Sequence, residues 1–141
     1  MNPHSPLAHA LPALQPVDPA PRLALFVFRQ MAAHGLNDAA AAHALINAFG
    51  KDFRRPLTLM RALVGELSAC AASPIAIGPW CCPRMTAAEA ALMRALACIE
   101  REPERARLLI ADLLGRRGAD GPAATAHAVA VAFADLGLPL D

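Results

Sequence analysis

The chain of 141 residues carries 13 Lys and Arg residues against 12 Asp and Glu residues, so its formal net charge at pH 7 is +1. A chain of this length fits one domain and can bury a core without a metal ion or a disulfide. The near-neutral balance, without an acidic or basic tail, argues against the capture of nucleic acid or an anionic membrane by bulk charge. Hydrophobic residues make up 56% of the chain, many of them alanine, and tyrosine is absent. This composition favours an all-α fold.

The sequence also indicates a compartment. The first residues have neither the basic start nor the apolar centre of a signal peptide. The longest uncharged run, residues 67–83, is broken by prolines and a glycine, so it cannot form a membrane-spanning helix. We therefore expect a cytoplasmic protein. In that reducing compartment its four cysteines should be free thiols.

The chain opens with a proline-rich segment, residues 1–21, which contains six prolines. Proline lacks a backbone donor and biases the preceding residue away from the helical region. The pattern predicts a flexible arm over 1–21, followed by a helical domain over 22–138.

Apolar spacing and capping residues predict six helices, which begin near residues 22, 37, 56, 86, 103 and 122. The fourth begins with the capping-box pattern of Thr86 and Glu89. The first is apolar nearly all round, with Arg22 and Arg29 marking a solvent stripe, so it lies at the centre or at a subunit contact. Short connections indicate antiparallel neighbours. The predicted fold is an all-α, single-domain bundle of about six mostly antiparallel helices with a proline-rich N-terminal arm.

The segment between the third and fourth helices, residues 73–85, holds the only tryptophan, Trp80, and two adjacent cysteines, Cys81 and Cys82. Arg84 and the helix N-terminus that follows would favour a reactive thiolate there. The alternative is a structural loop, in which Trp80, Ile75, Ile77 and Met85 cover the end of the bundle.

An alternating helix topology would bring two further possible ligands near these cysteines. They are Cys70 at the end of the third helix and His34 at the end of the first. The four side chains form a candidate site for a metal ion or haem. Adjacent cysteines do not match the spacing of a zinc knuckle, in which about two residues separate paired ligands.

A basic connection between the second and third helices contains Lys51, Arg54 and Arg55. It could meet phosphate, but the link is longer than a helix-turn-helix turn and the third helix has few polar groups to read bases. Neither a glycine-rich phosphate loop nor a nucleophile elbow is present, so no catalytic residue is assigned.

Two stretches, Phe49-Gly-Lys-Asp-Phe-Arg-Arg-Pro-Leu and Trp80-Cys-Cys-Pro-Arg-Met-Thr-Ala-Ala-Glu89, resemble a small family of uncharacterised bacterial proteins of similar length. The resemblance covers most of the chain after the proline-rich arm. It implies one domain and carries over no activity, cofactor or site residue.

The sequence thus predicts a protein-interaction or regulatory module with a protein partner or a second copy of the chain as its target. It favours a function without catalysis but leaves open an enzyme that uses the Cys81 and Cys82 loop with Arg84. A thiol, metal or haem site at Cys81 and Cys82 is the first alternative. Nucleic-acid binding through the basic connection is the weaker alternative.

Overall fold

The computed structural model describes residues 13–141. Within this range it contains six α-helices, one short 3-10 helix and one pair of two-residue strands. The elements in chain order are β1 (Ala13–Leu14), α1 (Pro19–His34), α2 (Ala39–Phe49), the 3-10 helix (Gly50–Asp52), α3 (Arg54–Cys70), β2 (Arg84–Met85), α4 (Ala87–Cys98), α5 (Pro103–Leu114) and α6 (Asp120–Asp135). The predicted all-α bundle of six helices is confirmed.

The helices pack mainly as antiparallel pairs. α4 lies against α5 and α1 against α2, each joined by a short turn, whereas α3 packs along the more distant α6. Two polar contacts fix the direction of this third pair. Arg55 at the start of α3 meets Asp135 at the end of α6, and Glu66 accepts a hydrogen bond from Thr125 near the start of α6.

Helix α1 is the central element of the bundle. Eight of its 16 residues are buried: Ala20, Ala24, Leu25, Val27, Phe28, Arg29, Gln30 and Met31. The apolar character of this helix is therefore accounted for by burial within the chain, and it no longer argues for a subunit contact. Arg29 was predicted to face solvent, and that prediction is wrong because the residue lies on the buried side.

Three helices begin earlier than the sequence indicated, because their prolines stand at the third helical position. Pro21, Pro56 and Pro122 each occupy that position in α1, α3 and α6. The first three N–H groups of a helix have no partner within it, so a missing donor costs nothing there. The first helical hydrogen bond comes one residue later, as in Leu57 N–H to the carbonyl of Phe53.

The end of the predicted arm also takes up regular structure. Ala13 pairs with Met85 and Leu14 with Arg84 in an antiparallel ladder, and α1 begins at Pro19. Residues 13–21 of the predicted arm thus contribute a short strand and the start of α1, and residues 1–12 lie outside the described residues. Among the helices of residues 13–141, none has the length and apolarity that crossing a membrane requires.

Candidate functional site

The predicted capping box at the start of α4 is present. The Thr86 hydroxyl accepts a hydrogen bond from the Glu89 backbone N–H at 3.1 Å, and Glu89 Oε1 accepts one from the Thr86 N–H at 2.9 Å. This reciprocal pair satisfies two donors at the helix start. Glu89 is fully buried, so its carboxylate requires more partners than a capping box supplies.

Arg29 supplies those partners. Its Nε donates to Glu89 Oε2 at 2.8 Å and its Nη2 donates to Glu89 Oε1 at 2.9 Å, which makes a two-point ion pair between α1 and α4. The exposed fraction is 1% for the Arg29 side chain and 0% for that of Glu89. A planar guanidinium matches a carboxylate in this geometry, whereas lysine could not.

Arg29 and Glu89 also hold the loop between α3 and α4. Arg29 donates to the carbonyl oxygens of Cys82 and Arg84 at 2.8 and 2.7 Å, and Glu89 Oε2 accepts the Gly78 N–H at 3.1 Å. We call this set of side chains and backbone groups the Arg29–Glu89 network. In residues 13–141, every buried side-chain nitrogen and oxygen has a hydrogen-bond partner. The Arg29–Glu89 network therefore leaves no buried side-chain donor or acceptor unpaired, which is typical of a network with a structural role.

Gly78 passes so close to this network that no side chain fits. A Cβ added at Gly78 would lie 2.9 Å from Arg29 Nη2 and 3.3 Å from Glu89 Oε1. The glycine therefore allows the backbone N–H to reach the carboxylate.

The network also determines the charge state of its members. Burial acts to raise the pKa of Glu89, but the hydrogen bond from Arg29 and those from the N–H groups of Thr86 and Gly78 outweigh it, so the pKa is lowered. The hydrogen bond to Glu89 raises the pKa of Arg29 further. Both residues are therefore ionised at neutral pH, and the carboxylate is not poised to exchange a proton.

Trp80 projects from the held loop into solvent. A tight turn, closed by the Cys82 N–H to the Pro79 carbonyl at 2.9 Å, places Trp80 and Cys81 at its two central positions. The Trp80 side chain is 63% exposed. It does not cover the end of the bundle, as one sequence interpretation required. Of the other three side chains in that interpretation, Met85 is buried, and Ile75 and Ile77 pack half-buried against the core.

Trp80 borders a cleft of about 300 Å³ between the turn, β1 and the first half of α1. We define the Trp80 surface by the residues that line this cleft: Gln15, Arg22, Leu25, Phe26, Arg29, Trp80 and Cys81. Leu14, which precedes Gln15 in the chain, and Val17, two residues after it, are 65% and 87% exposed. Exposed apolar side chains next to a cleft mark an interaction site more often than isolated ones do.

The structure does not bring the predicted thiol and imidazole ligands together. Cys81 is exposed and Cys82 half-buried in the turn, Cys70 is half-buried at the end of α3, and His34 is exposed at the end of α1. Within residues 13–141, no three His, Cys, Asp or Glu side chains are placed to hold one metal ion. Cys98 is buried in α4.

The basic connection remains a set of surface residues. Lys51 and Arg54 are exposed, and Arg55 donates to Asp135 at 3.0 Å. This pairing removes part of the positive charge that nucleic-acid binding would use.

Comparison with known proteins shows which family the chain belongs to. The model of a family described as "Family of unknown function (DUF6628)" matches residues 4–134. The chain belongs to DUF6628. The predicted resemblance to a family of uncharacterised proteins is thereby confirmed. No curated protein and no solved structure matches the chain. The DUF6628 match spans almost the whole bundle, including the Arg29–Glu89 network. Because the function of this family is unknown, the geometry of the site is what indicates a function.

Sequence reasoning missed Arg29 and Gly78 as the residues that position the site. The sequence did contain one indication that Arg29 is buried and paired. An arginine surrounded by apolar residues in a nearly all-apolar helix is typical of a buried, paired charge, and the capping-box glutamate was the carboxylate free to pair with it.

Proposed function

We propose that this protein is a protein-interaction module that binds a protein partner through the Trp80 surface. The observation that carries the proposal is a largely exposed tryptophan on a loop that a buried ion pair holds in place. Tryptophan is enriched among the residues that dominate interface energies, and an isolated domain gains nothing by exposing one.

The loop is prepared for binding before any partner arrives. Gly78 and Cys82, two residues to either side of Trp80, are both bonded to the Arg29–Glu89 network. The ring is therefore presented on fixed backbone, and binding loses little conformational entropy. Freely moving loops would have to be ordered at a cost in affinity.

The cleft also indicates the chemistry of the partner. Trp80 and Phe26 offer aromatic surface, and Arg22 is an exposed cation at the same cleft. A partner segment with an apolar side chain next to a carboxylate complements both features. A second copy of the chain is the other candidate occupant.

The decisive experiment places a photo-crosslinking amino acid at position 80 in the full chain in its native cells. Position 108 is the matched control, because Leu108 is an apolar residue of α5 with a similar exposure of 59%. We expect one defined adduct from position 80 and none from position 108. In a binding assay with the partner that this adduct identifies, Trp80→Ser should abolish binding and Leu108→Ser should not. Equal adducts from both positions, or a Trp80→Ser protein that binds normally, would refute the proposal.

Sedimentation of the purified protein separates the two occupants. A monomer–dimer equilibrium that Trp80→Ser shifts to monomer identifies a second copy. A monomer at all concentrations, together with a heterologous adduct, identifies a different protein.

A thiol or metal function at Cys81 and Cys82 is the second candidate, supported by the exposure of Cys81 beside Arg22 in the cleft. Native mass measurement of protein purified without chelator tests it. A stoichiometric metal or haem that Cys81→Ser removes and Cys98→Ser retains would favour this function. We also infer a cytoplasmic location, in which the four cysteines would stay reduced.

A further inference from the structure

A second concave site lies on the other side of the held loop. It is a cavity of about 390 Å³ between the second half of α1, the end of α3 and the segment that follows α3. Small-molecule sites usually measure about 300–1,000 Å³, and an apolar cavity of only about 150 Å³ can bind benzene. We call it the α1–α3 cavity; its lining is Phe28, Ala32, Val64, Leu67, Ser68, Ala71, Ala72, Ser73, Pro74, Ile75 and Ile77.

The floor and wall of the α1–α3 cavity are apolar. Phe28, Val64 and Leu67 form the floor and belong to the buried core, while Ile75 and Ile77 form a half-buried wall. Ser68 and Ser73 bring exposed hydroxyl groups to the mouth. No charged side chain lines the cavity. A charged ligand would lose its hydration without gaining a counter-charge, so the lining selects a neutral one.

Hydrogen bonds on both sides of the wall keep the cavity open. The Ala72 N–H donates to the Leu114 carbonyl at 2.9 Å before the wall, and Gly78 is bonded to Glu89 after it. Between Ile75 and Ile77, the Ala76 carbonyl accepts the Thr86 hydroxyl at 2.8 Å. Since the segment is fixed at three points, Ile75 and Ile77 keep their half-buried positions against the core and cannot close further over the cavity.

We propose that the α1–α3 cavity binds a neutral aliphatic molecule with a terminal hydroxyl group. The chain lies against Phe28, Val64 and Ile75, and the hydroxyl remains at the mouth beside Ser68 and Ser73. Burial of the aliphatic chain supplies the affinity, and the hydroxyl keeps its hydrogen bonds to serine or water. This site is separate from the Trp80 surface and does not depend on the proposed interaction function.

The test is a titration of the full-length protein, with isotope-labelled isoleucine, leucine and valine methyl groups, by a series of straight-chain primary alcohols. We expect saturable shifts of the Val64, Ile75 and Ile77 methyl signals. The dissociation constant should fall about fourfold for each added CH₂ until the chain exceeds the cavity. Nonspecific adsorption would show no such limit in length. A dissociation constant that keeps falling with every added CH₂ would therefore overturn the proposal.

Two substitutions on the same helix give a matched comparison. Ala32 lines the cavity, whereas its neighbour Ala33 is exposed and does not. Ala32→Phe fills the mouth and should weaken alcohol binding at least tenfold, and Ala33→Phe should change it less than twofold. Ser68→Leu, which also fills the mouth, serves as a second blocking variant. Equal binding by all of these variants would refute the site.

Further measurements exclude other occupants. A carboxylate or amine of equal chain length should bind at least tenfold more weakly than the alcohol. Trp80→Ser should leave alcohol binding unchanged, which separates this site from the Trp80 surface. Nuclear Overhauser contacts between the Ile75 methyl groups and residues 1–12, in the protein without alcohol, would instead identify that segment as the occupant and overturn the proposal.

Discussion

Arg29 is a tightly held, buried charge in a largely apolar helix. Four hydrogen bonds, two to Glu89 and two to loop carbonyls, hold its guanidinium. Removing one partner of such a pair leaves the other charge buried and unpaired, which costs about 3–5 kcal/mol. The geometric effect of the pair is to fix the loop between α3 and α4 against α1.

At Gly78 we expect a large cost from a single methyl group. Gly78→Ala should lower the free energy of unfolding by about 1–3 kcal/mol, because Arg29 cannot withdraw from the added Cβ without breaking its hydrogen bonds. Gly118→Ala is the control, since a Cβ there meets no atom within 4 Å, and it should change stability by less than about 0.5 kcal/mol. Urea denaturation measures both, and equal midpoints would contradict the close approach.

The Glu89 carboxylate should make stability depend on acid pH. Its pKa is lowered from the ordinary value of 4.5 in the folded protein, so folding favours the ionised form. The stabilisation is complete above the unfolded pKa and is lost as pH falls through the folded pKa. The difference in melting temperature between wild type and Glu89→Gln should be constant at neutral pH and should shrink progressively as pH falls below the ordinary value of 4.5. Glu104→Gln, at an exposed site, should show no comparable convergence.

At the scale of secondary structure, the loop between α3 and α4 should behave as part of the core. The amide hydrogens of Gly78 and Thr86 are both bonded to the buried Glu89, so they should exchange slowly although they lie outside the helices. In Arg29→Met both should exchange fast while the amides of α3 and α6 remain protected. Hydrogen exchange measured by NMR decides this, and uniform loss of protection would instead indicate global destabilisation.

The helices themselves could be predicted from local information. Apolar spacing and caps identified all six, because those signals lie within each helix. Their starts were predicted too late at Pro21, Pro56 and Pro122, because proline was interpreted as a boundary when the first turn tolerates it.

The arrangement of the loop could not be predicted in the same way. Arg29 and Glu89 are 60 residues apart in the chain, and no periodic pattern records which distant charges meet. The exposure of Trp80 depends on that meeting, because the network fixes the turn that carries the ring. The sequence singled out the segment that the network holds, but not its anchor or the direction of its side chains.

At the scale of the whole molecule, side chains from all six helices form one hydrophobic core. We therefore expect one cooperative unfolding transition. Cys98 is buried in this core and Cys81 is exposed, so they report on global and local accessibility respectively. In a variant whose only cysteine is Cys98, thiol labelling should follow the loss of helical circular dichroism across a urea titration. A variant whose only cysteine is Cys81 should label at once in buffer, and labelling of Cys98 before helix loss would indicate a second unfolding unit.

The distance along the chain between Arg29 and Glu89 has a consequence for the order of folding. Closing a segment of 60 residues costs chain entropy before the ion pair can form, whereas the α1–α2 and α4–α5 hairpins close through short turns. We expect the hairpins to form before the rate-limiting barrier and the ion pair after it. Arg29→Met should then speed unfolding greatly and leave the refolding rate almost unchanged in stopped-flow experiments. The ion pair would then determine the lifetime of the folded molecule and have little influence on how quickly the molecule folds.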